Sequence, residues 1–320
     1  MILSLSHNDL DAFGCQLCIL DKFSKLSKID FYNTNYKDFD FKVNEIIDRI
    51  EQNREKIQLL LITDISFTEK RSLLLALKEV TQEFKIKTIF IDHHEYSEGF
   101  WDGIETPLFK IHWDKTKSAS KITQEVLNIT NTNLLKIINI IDIYDIWQDE
   151  NKFFKVAQNL NNYFWTQGRF NLLNTFIQNN YNLPSNFLET CNNFYKEAEI
   201  SYEKSKKKNL IIHPRKDISF SFTDEYFNNY VEWELQYNKV FVCAAHYGLV
   251  RLRFKKRSDG YPDDLVKIIK DKILDGSDKG HLHSFSFYLE DVSLDTIVEK
   301  FKQIDGIIKT SIEEYSNCRK

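Results

Sequence analysis

Lys87-Thr88-Ile89-Phe90-Ile91-Asp92-His93-His94 is a short β-branched and aromatic run that ends on an acid and two imidazoles. A run of this length and composition reads as a strand, and open α/β sheets place their ligands beyond the C-terminal ends of their strands. Two more apolar runs end in the same way. Met1-Ile2-Leu3-Ser4-Leu5 leads into Ser6-His7-Asn8-Asp9-Leu10-Asp11, and Leu59-Leu60-Leu61-Ile62-Thr63 is closed by Asp64. Three strand ends therefore present carboxylates and imidazoles together. That is the pattern of a metal site, and it points to phosphoester chemistry.

Outward from these runs, strands are expected at 1–6, 28–33, 58–63 and 87–91, with 108–112 as a fifth. Between them, residues 11–26, 41–52 and 68–84 carry apolar side chains at helical spacing. Strands alternating with helices predict an α/β domain with a mainly parallel sheet flanked by helices. From Ser118 the pattern turns helical. Ser118 or Ser120 is read as the N-cap of a helix through Val126 and Leu127, and a second helix covers 133–146. Residues 150–208 add further helices and end on Lys204, Lys206, Lys207 and Lys208, read as a solvated helix end. Beyond them, strands at 218–222, 240–245, 249–254 and 285–289 and helices at 262–274 and 293–315 predict a smaller α+β domain. The boundaries are set at 1–208 for a metal-binding catalytic domain and 209–320 for a substrate-binding domain, with the active site expected in the cleft between them.

Composition narrows the function. The chain of 320 residues is 42% hydrophobic, enough for two cores. Its apolar runs fall well below the ~20 residues that cross a bilayer, and its N-terminus lacks a basic n-region and a cleavage site. A cytoplasmic protein without a membrane partner is expected. A net charge of −4 argues against the broad basic surface that coats long nucleic acid, so any nucleotide substrate is expected to be short. The five cysteines are an odd, scattered set read as reduced thiols. Cys15 and Cys18 form a C-x-x-C with no second pair, and are read as a buried helix face.

The candidate ligands group by spacing. His7, Asp9 and Asp11 form an H-x-D-x-D row that projects to one side if the strand continues to its edge. Asp64 adds a carboxylate, Asp92-His93-His94 adds hard and borderline donors, and Asp142 and Asp145 share a helical face at i, i+3. Asp142 is as readily a helix-pairing acid as a ligand. Mixed carboxylate and imidazole ligation suits Mn²⁺, Mg²⁺, Fe²⁺ or Zn²⁺, and the absence of cysteine from the cluster speaks against a structural zinc. The donors suffice for two ions, which at ~3.5–4 Å apart can clamp both oxygens of a phosphoester displacement. Further on, Arg251, Arg253, Lys255 and Arg257 would share one strand face, either to receive phosphates or to protect a sheet edge with charge.

These motifs resemble those of the DHH phosphoesterase superfamily, with its DHH-associated C-terminal domain. Asp9-Leu10-Asp11 looks like its first motif, Asp64 its second, Asp92-His93-His94 its third and Asp145, in Tyr-Asp-Ile-Trp, its fourth. Lys117-Ser118-Ala119-Ser120 resembles its serine-rich helix start, and Gly280-His281-Leu282-His283-Ser284-Phe285-Ser286-Phe287 keeps part of its glycine-rich signature. The likeness spans nearly the whole chain and is nearest to the oligoribonuclease, or nanoRNase, branch. It implies two divalent ions, most simply Mn²⁺, with Mg²⁺ or Fe²⁺ as substitutes. Asp64 would bridge them, His7 and Asp9 would hold one, and Asp11, His93 and Asp145 the other. His94 would meet the phosphate or assist proton transfer, and Asp92 would orient a histidine. Arg253, Gly280 and His281 would contact substrate, while His283 has no counterpart. Two features depart from the family. His7 stands two residues before Asp9, where many members place the histidine four before, and Ser284, Phe285 and Ser286 stand where small residues are usual.

The combined expectation is a metal-dependent exonuclease-type phosphodiesterase acting on short oligonucleotides or linear dinucleotides through water activated by two metals. Two alternatives stay open: a nucleotide 3′-phosphatase or pyrophosphatase, and an inactive nucleotide-binding protein. A homodimer is left open.

Overall fold

The computed structural model describes residues 1–35, 38–207, 211–212, 217–222, 241–246, 249–254, 261–262, 264–273, 284–289, 291 and 293–318. The chain divides into two compact units, Met1–Cys191 and Asn192–Lys320.

In the first unit, β1 (Ile2–Ser6), β2 (Ile29–Asn33), β3 (Leu59–Thr63), β4 (Lys87–Asp92) and β5 (Phe109–Trp113) form one parallel sheet in the order β2-β1-β3-β4-β5. All five residues of β1 are buried, as expected of a central strand covered on both faces. The period-two alternation sorts its neighbours cleanly. Leu61 packs into a cluster with Phe13, Leu17, Ile137, Ile141 and Leu160, whereas Leu60 and Ile62 pack with Val43, Ile46, Leu74 and Leu77. Helices α1 (Leu10–Phe23), α5 (Thr132–Asp145) and α6 (Phe154–Gln167) thus cover one face, and α2 (Phe39–Asn53) and α3 (Arg71–Glu83) the other. Helix α4 (Ala119–Val126) follows β5, and α7 (Arg169–Gln178) follows α6. The strand order reverses direction between β1 and β3. Crossovers on opposite faces leave a crevice at that switch point, where such sheets bind ligands.

The helix α8 (Phe187–Lys207) contains the division between the units, whereas the sequence reading ends its first domain after this helix. In the second unit, β6 (Ile211–Ile212), β7 (Ile218–Phe222), β8 (Phe241–His246), β9 (Leu249–Phe254) and β10 (Ser284–Tyr288) form a sheet in the order β10-β9-β8-β7-β6. Only β7 and β8 run parallel within it. Ile218, Phe220, Leu252 and Phe254 pack with Leu265 and Ile269 of α9 (Leu265–Ile273) and with Phe301 and Ile304 of α10 (Leu294–Cys318).

Candidate metal centre

The chain leaves β1 at Ser6 and turns into α1 within three residues, so His7 and Asp9 sit at the mouth of the switch point. Asp9 is the N-cap of α1, its Oδ1 accepting from the Ala12 amide at 3.0 Å, while its Oδ2 meets His7 Nδ1 at 2.7 Å. Burial pushes the Asp9 carboxyl up, but the charge and hydrogen bond of His7 outweigh it and hold it below the ordinary range. The continuous H-x-D-x-D comb expected from an extended strand does not form. Because Asp9 starts the helix, Asp11 falls in its first turn and points elsewhere.

Asp11 reaches the start of α4. Its two oxygens accept from the amides of Ala119 and Ser120 at 2.7 and 2.9 Å, where a helix N-terminus favours negative charge. Ser118 caps that helix by accepting from the Lys121 amide. Asp142 in turn accepts from the Ser118 amide at 2.8 Å, which places it as a support of the α4 turn.

Asp64 follows β3 with φ of 51°, a left-handed conformation that aspartate tolerates better than most residues. Its amide donates to the Ile91 carbonyl at 2.9 Å, tying the end of β3 to that of β4. His93 Nε2 lies 3.5 Å from Asp64 Oδ1, 3.4 Å from Asp145 Oδ2 and 4.0 Å from Asp11 Oδ2. Three donor sets arise among the described residues, each with its ligand atoms within 4.8 Å of one another: His7, Asp9 and Asp64; Asp64, His93 and His94; Asp11, His93 and Asp145. Asp64 and His93 each belong to two sets.

The electrostatics explain what such a cluster lacks. Burial raises the Asp64 carboxyl well above the ordinary range, and Asp9, Asp11 and Asp145 push it the same way. Asp145 is raised well above that range by burial and then by Asp11 and Asp9. Asp11 is raised by burial against the opposing pull of His93. Asp64 Oδ2 and Asp145 Oδ2 are buried without a hydrogen-bond donor. Buried carboxylate oxygens without donors, facing imidazole nitrogens and other acids, fit divalent cations, which would supply the missing positive charge.

Asp92 is fully buried and outside the donor sets. Its Oδ1 accepts from His94 Nδ1 at 2.8 Å, and its Oδ2 accepts from the Tyr96 hydroxyl. Neither Tyr96 nor Trp113, whose indole donates to the His94 carbonyl at 2.7 Å, carries a motif that sequence reading would single out.

Arg169 was equally hidden. At the first turn of α7, its Nη1 donates to Gln16 Oε1 at 2.7 Å and its Nη2 to the carbonyls of Asp9 and His7 at 3.0 and 3.3 Å. Gln16 and Asn33 extend this network to Ser6 Oγ, and Asn33 also reaches the His7 carbonyl. The loop that bears His7 and Asp9 is therefore fixed from behind. Burial lowers the Arg169 guanidinium to about 10 against the opposing pull of Asp9 and Asp64, so it still carries its charge at neutral pH.

Of the expected substrate contacts, Arg253 is half-buried on β9, opposite Ser284 of β10. Gly280, His281 and His283 lie outside the described residues, as do Lys255 and Arg257. Cys15 and Cys18 are buried in α1, their thiols pushed up by that burial, as a packed helix face requires. No described helix is long and apolar enough to cross a membrane.

No protein-family model matches the chain, and no curated protein does. Solved structures do. RecJ from Thermus thermophilus, in complex with Mn²⁺, superposes with a TM-score of 0.57 at 11% identity, covering 93% of this chain and 51% of that one. The exonuclease RecJ bound to manganese gives 0.54 at 11% identity, covering 97% and 90%. An uncharacterized protein from Helicobacter pylori gives 0.47 at 18% identity, covering 97% and 99%. The chain thus spans about half the length of the Thermus protein. At these identities the likeness concerns the fold: a parallel five-stranded sheet flanked by helices, with a smaller second sheet unit, as in RecJ.

Proposed function

We propose that the protein is a two-metal phosphodiesterase of the DHH type that hydrolyses short oligonucleotides or linear dinucleotides, nearest in specificity to the nanoRNase branch. The observation that carries this reading is the membership of both Asp64 and His93 in two donor sets at the switch point, with an undonated oxygen on Asp64. Overlapping sets suit two adjacent cations that share a carboxylate. His7 and Asp9 would hold one ion and Asp11, His93 and Asp145 the other, with Asp64 available to both.

Bound divalent ions, Mn²⁺ first among them, supply an activated water and neutralise charge on the phosphoryl oxygens. The residues do the rest. The α4 amides aim Asp11, and Arg169 fixes the backbone of His7 and Asp9. Asp92 fixes the ring of His94 by accepting from its Nδ1, and the imidazole so held would meet the phosphate or pass a proton to the leaving oxygen. Arg253 is assigned to phosphate. The small negative net charge suits short substrates over long nucleic acid.

The test is turnover of an oligonucleotide length series and of pGpG with Mn²⁺, with products identified by mass spectrometry. Mononucleotide products from the shortest substrates are expected. Release of inorganic phosphate from a 3′,5′-bisphosphate without diester cleavage would replace this reading with a phosphatase. Tight dinucleotide binding without turnover under any divalent ion would replace it with a binding protein.

A further inference from the structure

Trp113 is 40% exposed at the C-terminal end of β5. Its backbone pairs in register with Asp92, and paired residues of adjacent parallel strands present their side chains on the same face of the sheet. Asp92 is the residue that grips His94 and Tyr96. The indole N–H is already committed to the His94 carbonyl at 2.7 Å, and the Tyr96 ring packs against the indole at 76° with centroids 6.3 Å apart. One polar edge is thus anchored to the residue whose imidazole belongs to a donor set with Asp64 and His93, while a large part of the ring stays open to solvent.

Resting on the phosphodiesterase reading above, we propose that Trp113 is a stacking platform for the nucleobase adjoining the scissile phosphate. An exposed aromatic at a sheet edge is often only a surface residue, but here three observations coincide: an open ring, an orientation locked by its N–H, and attachment to the donor set through a single residue. Every base has a π-face, so such a platform accepts bases with little regard to sequence. It also supplies affinity that this chain does not draw from charge, because a net −4 leaves little general attraction for phosphates. The ligand class is therefore a nucleotide with an unpaired base, in preference to a phosphorylated sugar.

The test compares binding of AMP and of ribose 5-phosphate, which lacks the base, to the full chain with Mn²⁺ by equilibrium dialysis. Wild type is expected to favour AMP by about ten-fold or more, the scale of one base stack. Trp113→Ala removes that preference. Trp113→Phe, which keeps a ring but loses the N–H, retains most of it, and Trp113→Leu, which keeps bulk without a ring, does not. Circular dichroism checks each variant, and if the Ala variant is unfolded the Phe and Leu pair decides. Equal binding of the two ligands by wild type, or equal preference in the Phe and Leu variants, overturns the proposal. The phosphodiesterase reading fails separately, by absence of pApA cleavage, whatever the AMP preference.

Discussion

Asp145 Oδ2 stands 3.4 Å from His93 Nε2 and, though buried, accepts no hydrogen bond. A buried acceptor without a donor costs about 1–3 kcal/mol, and Asp64 Oδ2 carries the same penalty. Burial raises Asp64, Asp145 and Asp11, so without an ion they keep protons to higher pH in the fold than in the unfolded chain. The stability they provide is therefore present in acid and lost as pH rises from the ordinary carboxylate range through their raised values. A divalent ion displaces those protons and fills the missing contacts.

Excess Mn²⁺ should accordingly raise the melting temperature by about 5 °C or more at pH 8 and by little at pH 5. Differential scanning calorimetry with and without the ion reads this directly. An equal shift at both pH values would contradict the account.

Replacing Asp64 separates chemistry from folding. Asparagine enters the left-handed region at least as readily as aspartate, so Asp64→Asn keeps the backbone at φ 51° while removing the charge shared by two donor sets. Turnover should fall by about 1,000-fold or more, the equivalent of several kcal/mol of lost ion binding and charge stabilisation, with an unchanged circular dichroism spectrum. Near-normal hydrolysis with Mn²⁺ would sink the assignment. Asp64→Ala should behave worse, adding about 1–2 kcal/mol of backbone strain.

The first sheet was legible in the sequence because its strands are apolar runs closed by polar residues: 1–6 against Ile2–Ser6, 58–63 against Leu59–Thr63 and 87–91 against Lys87–Asp92. Ser118 announced α4 through its capping chemistry. In the second unit β7 and β9 fell where periodicity put them, whereas β6, two residues long, is too short to carry a period. The site was less legible. That Asp11 turns into α1 depends on where the helix starts, and a side chain's spacing along a strand says nothing once the strand has ended. Arg169 lies more than 150 residues from the loop it holds, so only the packing of α7 reveals it.

Gly14 tests how tightly Asp11 is aimed. A Cβ there would come within 2.7 Å of Ser120 Cβ and 2.9 Å of Ile141 Cδ1, so α1 approaches α4 and α5 at a distance only glycine permits. Gly14→Ala should push α4 away, costing about 1–3 kcal/mol as overpacking does, and should lengthen the contacts from Ala119 and Ser120 to Asp11. A lower urea midpoint together with weaker Mn²⁺ binding is expected. A variant as stable as wild type would show that the helices can separate without loss.

Arg169 makes the loop of His7 and Asp9 a rigid part of the site, and its replacement should show in both metal affinity and stability. Arg169→Met leaves Gln16 Oε1 without its guanidinium donor and takes one of two donors from each loop carbonyl, Asp9 keeping the Phe13 amide and His7 keeping Asn33. It should destabilise the fold by about 2–4 kcal/mol, since hydrogen bonds to charged groups are worth ~1.5–3 kcal/mol each and those lost here are partly replaced by water. The Mn²⁺ concentration for half-saturation, read by isothermal titration calorimetry, should rise about 10–100-fold, as when other supports of metal ligands are removed. Arg169→Lys keeps the charge that opposes Asp9 and Asp64, but its donors all leave one nitrogen and do not reproduce the fork that reaches Gln16 from Nη1 and the loop carbonyls from Nη2. It should therefore recover part of the stability and little of the affinity. If the lysine variant binds Mn²⁺ as wild type does, charge alone explains Arg169 and the positioning role is wrong.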